Sequence, residues 1–151
     1  METIASWAGG GDAFTYLFVG MIGAVVCYLL AGFSTNAVVA LIACVLTGMF
    51  TSMLWPGALI FMEEKLPGAG VAAYALMASG GDLGASVAPQ LMGIVVDKVT
   101  ASAFAADIAT KTGLAAEQIG MKAGMIITAF FPLIGIVALA VTVRYFKKKN
   151  I

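Results

Sequence analysis

Histidine is absent from this chain of 151 residues, and cysteine occurs only twice. Cys27 and Cys44 lie in separate apolar segments without CxxC or Cys/His spacing, so neither a disulfide framework nor a zinc site is indicated. Without histidine the chain has no imidazole to act as proton shuttle, metal ligand or triad base. No nucleophile elbow, phosphate-binding glycine loop or metal-ligand set occurs either. We therefore expect no enzymatic activity, no cofactor and no bound metal.

Charge is also scarce. Charged residues make up 11% of the chain and hydrophobic residues 62%, whereas soluble domains have about 25% charged and 45–50% apolar residues. The net charge is zero and half of the basic residues fall in the last eight positions, which excludes a basic face for nucleic acid. No charged residue occurs between Asp12 and Glu63. The composition predicts an all-α membrane protein whose solvent is the lipid bilayer.

The apolar segments predict four transmembrane helices within a single transmembrane domain that covers residues 1–151. The expected spans are 14–33, 37–61, 71–96 and 123–143, with a polar loop at 97–122 and a cytoplasmic tail at 144–151. The polar loop has the composition of one or two short interfacial helices. The first and fourth spans carry no charge, and we expect them to be lipid-facing supports.

The basic residues are distributed unequally between the two sides of the membrane that these spans define. One side holds Lys65, Arg144, Lys147, Lys148 and Lys149, and the other holds Lys98, Lys111 and Lys122. The positive-inside rule then places both termini in the cytoplasm. We expect a multi-pass protein of the plasma membrane in this orientation.

The third span has a polar face. Ser79, Asp82, Ser86 and Gln90 are three, four and four residues apart, so they form one stripe on a helix. A carboxylate at the bilayer centre costs about 2.5–3.5 kcal/mol to insert. Asp82 therefore belongs either to a pathway for a solute or for protons, or to a structural lock bonded to a neighbouring helix. Ser86 and Gln90 also fit simple packing roles.

The opposite face of the third span consists of small residues. Gly80 and Gly84 lie about 160° around the helix from Asp82, and Ala88 about 120°, at 100° per residue. Such a ridge allows another helix backbone to approach closely. Pro89 removes one helical hydrogen bond and favours a bend beside it.

The second span carries a weaker polar pattern. Cys44, Thr47, Thr51 and Trp55 fall on one face at helical spacing, and the Trp55-Pro56-Gly57 sequence predicts a break or kink. Thr47, Thr51 and Trp55 are candidates for lining a solute pathway, with Pro56 exposing backbone carbonyls to a cavity. The alternative is that the hydroxyl groups bond to their own helix.

The order of these features resembles the C-terminal domain of a major facilitator superfamily transporter. The similarity is carried by MLWPGALIF, the short loop MEEKLPGAG, and ASGGDLGASVAPQLMGIVVD, and it extends over 14–149 as the ninth to twelfth helices. The resemblance implies that the tenth helix lines a central cavity and that the eleventh flanks the interface between two six-helix halves. It assigns Gly80, Gly81, Gly84, Pro89 and Gly93 to the rocking of those halves.

The sequence thus favours transmembrane transport of a small solute, with protons as a candidate coupling ion, by a secondary active transporter that works by alternating access. Because that family has twelve helices, we expect the chain to be a fragment that works with missing N-terminal helices, or to require an oligomeric partner. Two alternatives stay open. One is a small four-helix multidrug-type exporter that acts as a dimer, and the other is a non-transporting membrane assembly subunit.

The predicted orientation has a direct test. A cysteine placed at Lys111 should react with a membrane-impermeant maleimide on intact cells, whereas one at Lys148 should react only after permeabilisation. Both native cysteines are replaced by alanine beforehand. Labelling of Lys148→Cys on intact cells would show that the C-terminal tail lies outside the cell, which is the reverse of the predicted orientation.

Overall fold

The computed structural model describes residues 13–149. Over this range the protein is all-helical, as the composition predicts, and contains no strand. The helices are α1 (Ala13–Phe33), α2 (Ala37–Ser52), α3 (Leu54–Lys65), α4 (Gly70–Thr100), α5 (Ala103–Thr112), α6 (Ala116–Thr128) and α7 (Phe130–Lys149). Residues 1–12 and 150–151 of the predicted domain lie outside the described part of the chain.

Three stretches within residues 13–149 are long and apolar enough to cross a membrane. They are Ala13–Phe33, Ala37–Lys65 and Ala116–Tyr145, which correspond to α1, to α2 with α3, and to α6 with most of α7. The protein therefore has the helices of a membrane protein. Helix α4, the predicted third span, is not among them, because its glycines and serines, Asp82 and Gln90 lower its mean hydropathy. With 31 residues it has sufficient length, and its crossing of the bilayer stays a prediction.

Proline determines where two of these stretches are divided. Helix α2 ends at Ser52 and α3 begins at Leu54, because Pro56 has no amide hydrogen to donate to the Ser52 carbonyl. The Gly57 amide resumes the pattern by donating to the Met53 carbonyl at 3.1 Å. The boundary between α6 and α7 has the same cause, since Ala129 stands three residues before Pro132. Helix α4, in contrast, continues on both sides of Pro89.

Helix α1 lies at the centre of the described bundle and contacts α2, α3, α6 and α7. Its buried positions include Ala13, Leu17, Gly20, Ala24, Cys27 and Ala31. These residues alternate spacings of four and three, the 3.5-residue repeat of closely packed helices. The expectation that the first span is a lipid-facing support therefore describes only one face of α1, where Val19, Ile22 and Leu30 are exposed, while its other face packs against four helices. An absence of polar groups on α1 gave no indication of which neighbours would surround it.

The helices alternate in direction. At one end, Ala13 and Leu17 of α1 form a core cluster with Phe61 of α3 and Leu139 of α7. At the other end, the Lys122 ammonium of α6 donates a hydrogen bond to the Ser34 carbonyl after α1. The α3–α4 connection and the end of α7 thus share one end of the bundle, and the turn at 34–36 shares the other with the start of α6.

The segment predicted as a polar loop with one or two short helices, 97–122, is largely helical, and contains the end of α4, all of α5 and the start of α6. Ser102 caps α5 by accepting a hydrogen bond from the Ala105 amide at 3.2 Å, and α5 ends at Gly113, which has φ of 71°. Helix α6 begins at Ala116, where the Gln118 side chain accepts from the Ala115 amide at 3.0 Å. Glu117 in the first turn also favours this start, because its charge complements the helix dipole. The last apolar stretch is therefore longer than the predicted span.

Glycine permits close contact at the junction of α4 and α6. A Cβ atom at Gly120 would lie 2.9 Å from the backbone oxygen of Val96, and one at Gly124 would lie 3.0 Å from Cγ2 of the same valine. Real Cβ atoms do not approach a backbone oxygen so closely, so a side chain at Gly120 would separate the helices. Small residues are the usual means by which membrane helices approach each other.

We expect Gly120→Ala to lower the free energy of unfolding by about 1–3 kcal/mol, since the added methyl group overpacks this contact. Gly84→Ala is the matched control, because a Cβ at Gly84 meets nothing within 4 Å. The control should be neutral, or stabilising by up to about 1 kcal/mol through better helix propensity. Circular dichroism during titration from mild to denaturing detergent measures both. Equal stabilities for the two variants would contradict the described α4–α6 contact.

Candidate functional site

The polar stripe of α4 lies on the surface of the described bundle. Ser79, Asp82, Ser86 and Gln90 are all exposed, and α4 has no fully buried residue. The two serine hydroxyls donate to carbonyls of their own helix, Ser79 to Ala75 and Ser86 to Asp82, each at 2.8 Å. The stripe is therefore continuous and open to a neighbour on one face of α4.

The carboxylate of Asp82 has no hydrogen-bond or ion-pair partner among residues 13–149. The described basic side chains lie elsewhere, and the ion pair found over this range joins Lys111 to Asp107 on α5 at 2.6 Å. A structural lock through Asp82 would consequently need a partner outside the described helices. A pathway for a solute along this stripe would likewise need an opposite wall from outside the described helices.

The glycine ridge of α4 is equally open. A Cβ atom at Gly80, Gly84 or Gly93 would meet nothing within 4 Å. Gly81 differs, because its Cβ would lie 2.9 Å from Cζ3 of the Trp55 ring on α3. The four glycines assigned by resemblance to rocking thus divide into Gly81, which contacts the bundle, and three that have no neighbour there.

Two separate contacts hold α4 against the other helices. In its second half, Met92 and Val96 pack on Gly124 of α6, and Val96 also meets Gly120. In its first half, the contact is that of Gly81 with the Trp55 ring. Between them, residues 82–87, which include Asp82 and Ser86, are all exposed.

The pattern on the second span does not converge on the α4 stripe. Thr47 is buried at 7% exposure and donates to the Ala43 carbonyl at 2.8 Å. Thr51 donates to the Thr47 carbonyl at 2.8 Å. Both hydroxyls therefore bond to their own helix, the alternative that the sequence left open. Trp55 is the member of this pattern whose side chain reaches α4.

Pro56 lies in the first turn of α3, directly after Trp55. The boundary it imposes at Met53 starts a new helix and so sets the direction in which the Trp55 ring projects. Gly57, next in the sequence, is buried, and its Cβ would lie 3.1 Å from Leu17 of α1. Proline and glycine here position the tryptophan against α4 while α3 stays packed on α1.

Sequence reasoning did not find the role of Lys122. Its ammonium donates to the Ser34 carbonyl, close to the C-terminal end of α1 where cations are favoured. A cavity of about 350 Å³ adjoins this bond and is also lined by Asn36, Cys44 and Gln118. Only the tertiary arrangement brings residues 34 and 122 together, so no local pattern marks the pair.

Groups of cysteine, aspartate or glutamate side chains suited to a metal ion do not occur within residues 13–149. Cys27 and Cys44 are both free thiols, the first buried and the second exposed. The described side chains offer no arrangement that would hold a metal-containing cofactor.

The Trp55 contact leads to a prediction about the mobility of α4. Trp55→Ala should speed amide hydrogen exchange over residues 79–84 about tenfold, since losing this packing is worth on the order of 1.4 kcal/mol. Phe130→Ala is the control, because Phe130 is exposed on α7. Exchange in α1 serves as an internal reference. If both variants exchange at the wild-type rate over 79–84, Trp55 does not restrain α4.

Comparison with known proteins gives no relative for this arrangement. The chain matches no model of a known protein family, no curated protein and no solved structure.

Proposed function

We propose that this chain takes part in transporting a small solute across the plasma membrane, as a portion of a secondary active transporter of the major facilitator type. The observation that carries the proposal is the open state of α4, whose polar stripe and glycine ridge are both uncovered by the other described helices. Residues of these two kinds on one helix suit a polar pathway on one side and a sliding helix contact on the other.

Energetics support the need for further helices. A lone carboxylate facing lipid at mid-bilayer costs about 2.5–3.5 kcal/mol. The exposed side chains of Ser79, Ser86 and Gln90 add polar surface beside Asp82. Such a face is stable in a membrane when it borders a water-filled cavity or another polar helix. The missing N-terminal helices of a longer transporter, or an oligomeric partner, would provide that border.

Alternating access requires one group of helices to move against another as a unit. Helix α1 has the contacts for the fixed centre of such a group, since it packs against α2, α3, α6 and α7. Helix α4 projects from this group with Gly80, Gly84 and Gly93 free of contacts. In this proposal the ridge is where the second group slides, and Pro89 lies beside it.

The proposed roles follow from chemistry. Asp82 is the candidate carrier of a coupling proton, because a carboxylate is the only ionisable group in the middle of α4. Ser86 and Gln90 would bind polar groups of the solute through hydroxyl and amide groups. On the second span, Trp55 contacts α4, whereas the Thr51 hydroxyl donates to its own helix.

The test is whether water reaches the stripe. In a variant without native cysteines, Ser86→Cys should react with a small membrane-impermeant maleimide about tenfold or more faster than a lipid-facing cysteine, because only a hydrated thiol forms the reactive thiolate. Val137→Cys on α7 is the control, since Val137 is 63% exposed on an apolar face. Labelling is measured by mass spectrometry in native membranes.

Equal, slow labelling of the two positions would show that the stripe is sealed from water, and a pathway along α4 would be excluded. The chain would then be a packing or assembly subunit. Fast labelling of Ser86→Cys in a species that purifies as a defined dimer would instead favour the small exporter over a portion of a larger transporter.

A further inference from the structure

An apolar groove separate from the α4 stripe runs along the bundle between α1, α3 and α7. Its walls include Leu17, Leu54, Phe61, Ala138 and Leu139, and its volume is about 530 Å³. This falls within the roughly 300–1,000 Å³ of most small-molecule sites. The groove is formed by helices that are apolar enough to span a membrane, so lipid chains are the molecules that surround it.

One end of the groove is cationic. Lys65 is the charged residue that lines it, and its side chain is only partly exposed. Its ammonium has no hydrogen-bond or ion-pair partner among the described residues. The adjacent carboxylates, Glu63 and Glu64, are exposed and do not line the groove. The ammonium thus stands at the border of an apolar space without a counter-ion from residues 13–149.

Further positive charge follows at the same end. Thr142 lines the groove, and the sequence RYFKKK begins two residues later. The side chains of Arg144 and Lys148 are exposed. The Thr142 hydroxyl already donates to the Ala138 carbonyl at 2.8 Å, so charge and not hydroxyl bonding dominates recognition here. Basic pockets between membrane helices are suited to anionic lipid head groups.

We propose that this groove binds an anionic phospholipid, with the phosphate at the Lys65 ammonium and one acyl chain along Leu17, Leu54 and Leu139. The Lys65 ammonium complements the charge of the phosphate, and the apolar groove has the shape to hold an acyl chain. A zwitterionic lipid offers the same acyl chain but adds a cation where the protein already has several. Met77 of α4 also lines the groove, but the polar stripe of α4 is not part of it, so the proposal stands whether or not the chain transports a solute.

The test uses native mass spectrometry of the full chain with equal amounts of dioleoyl phosphatidylglycerol and dioleoyl phosphatidylcholine. We expect phosphatidylglycerol to be retained about fivefold more than phosphatidylcholine, the preference that one lysine near a lipid head group provides. Lys65→Gln should remove this preference. Lys65→Arg should retain it, which also controls for the role of a positive charge in the last turn of α3.

Two matched pairs separate the groove from general lipid binding. Lys98→Gln removes a charge from the opposite end of the bundle and should leave the preference unchanged. Ala138→Trp fills the groove and should abolish lipid retention, whereas Ala140→Trp, on a neighbouring exposed position outside the groove, should not. Inorganic phosphate should fail to compete, because it has no acyl chain.

Several results would overturn the proposal. Equal retention of the two lipids, or equal effects of Ala138→Trp and Ala140→Trp, would reduce the site to general lipid contact. Displacement by inorganic phosphate would reduce it to an anion site without the groove. If the mass spectra show a dimer, and Ala138→Trp removes the second copy of the chain and not the lipid, the groove is a protein interface.

Discussion

The described structure depends on how closely other helices approach α1. In lipid, apolar side chains gain little by leaving the solvent for each other, so membrane helices associate through packing and through small residues that admit a neighbour. The buried stripe of α1 contains Gly20, Ala24 and Ala31 at spacings of four and seven. A Cβ at Gly23 would lie 2.5 Å from the Phe50 ring of α2, and one at Gly32 would lie 2.5 Å from Ile126 of α6. Small residues on α1 thus create space for larger ones on its partners.

The contrast with α4 is physical. On α1 the small residues are already covered by Phe50, Leu54 and Ile126. On α4 the ridge glycines, Gly80 and Gly84, meet nothing within 4 Å. Among the described helices, the small residues of α1 are therefore covered, and most of the glycines of α4 are not. The proposed function rests on α4 because its polar face, which holds Asp82, is exposed as well.

Local chemistry made much of the fold predictable. The Trp55-Pro56-Gly57 sequence indicated the break that occurs at Met53, because Pro56 leaves the Ser52 carbonyl without its helical donor. Pro89 removes the same kind of bond in α4, and there the helix continues. Helical periodicity placed Ser79, Asp82 and Ser86 on one face, because residues three and four positions apart lie on the same side of a helix. That face is exposed. The self-bonding of Thr47 and Thr51 was a stated alternative that the geometry confirms.

The features that the sequence did not predict depend on tertiary contacts. The central place of α1 and the bond from Lys122 to the Ser34 carbonyl depend on which helices become neighbours, and neither has a local sequence signal. The helical start at Ala116 was missed because a polar first turn reads as a loop until its capping is seen. The exposed face of α4 has no neighbour among the described helices, so its sequence could not be matched to a contact within them.

The two proline boundaries have a consequence for how the chain enters the bilayer. Helix α3 has 12 residues and α6 has 13, so each extends about 18–20 Å at 1.5 Å per residue, less than the roughly 30 Å hydrocarbon core. Neither is long enough to be inserted as a span of its own. During biosynthesis α2 with α3, and α6 with α7, must therefore be recognised as single insertion units that already contain their breaks.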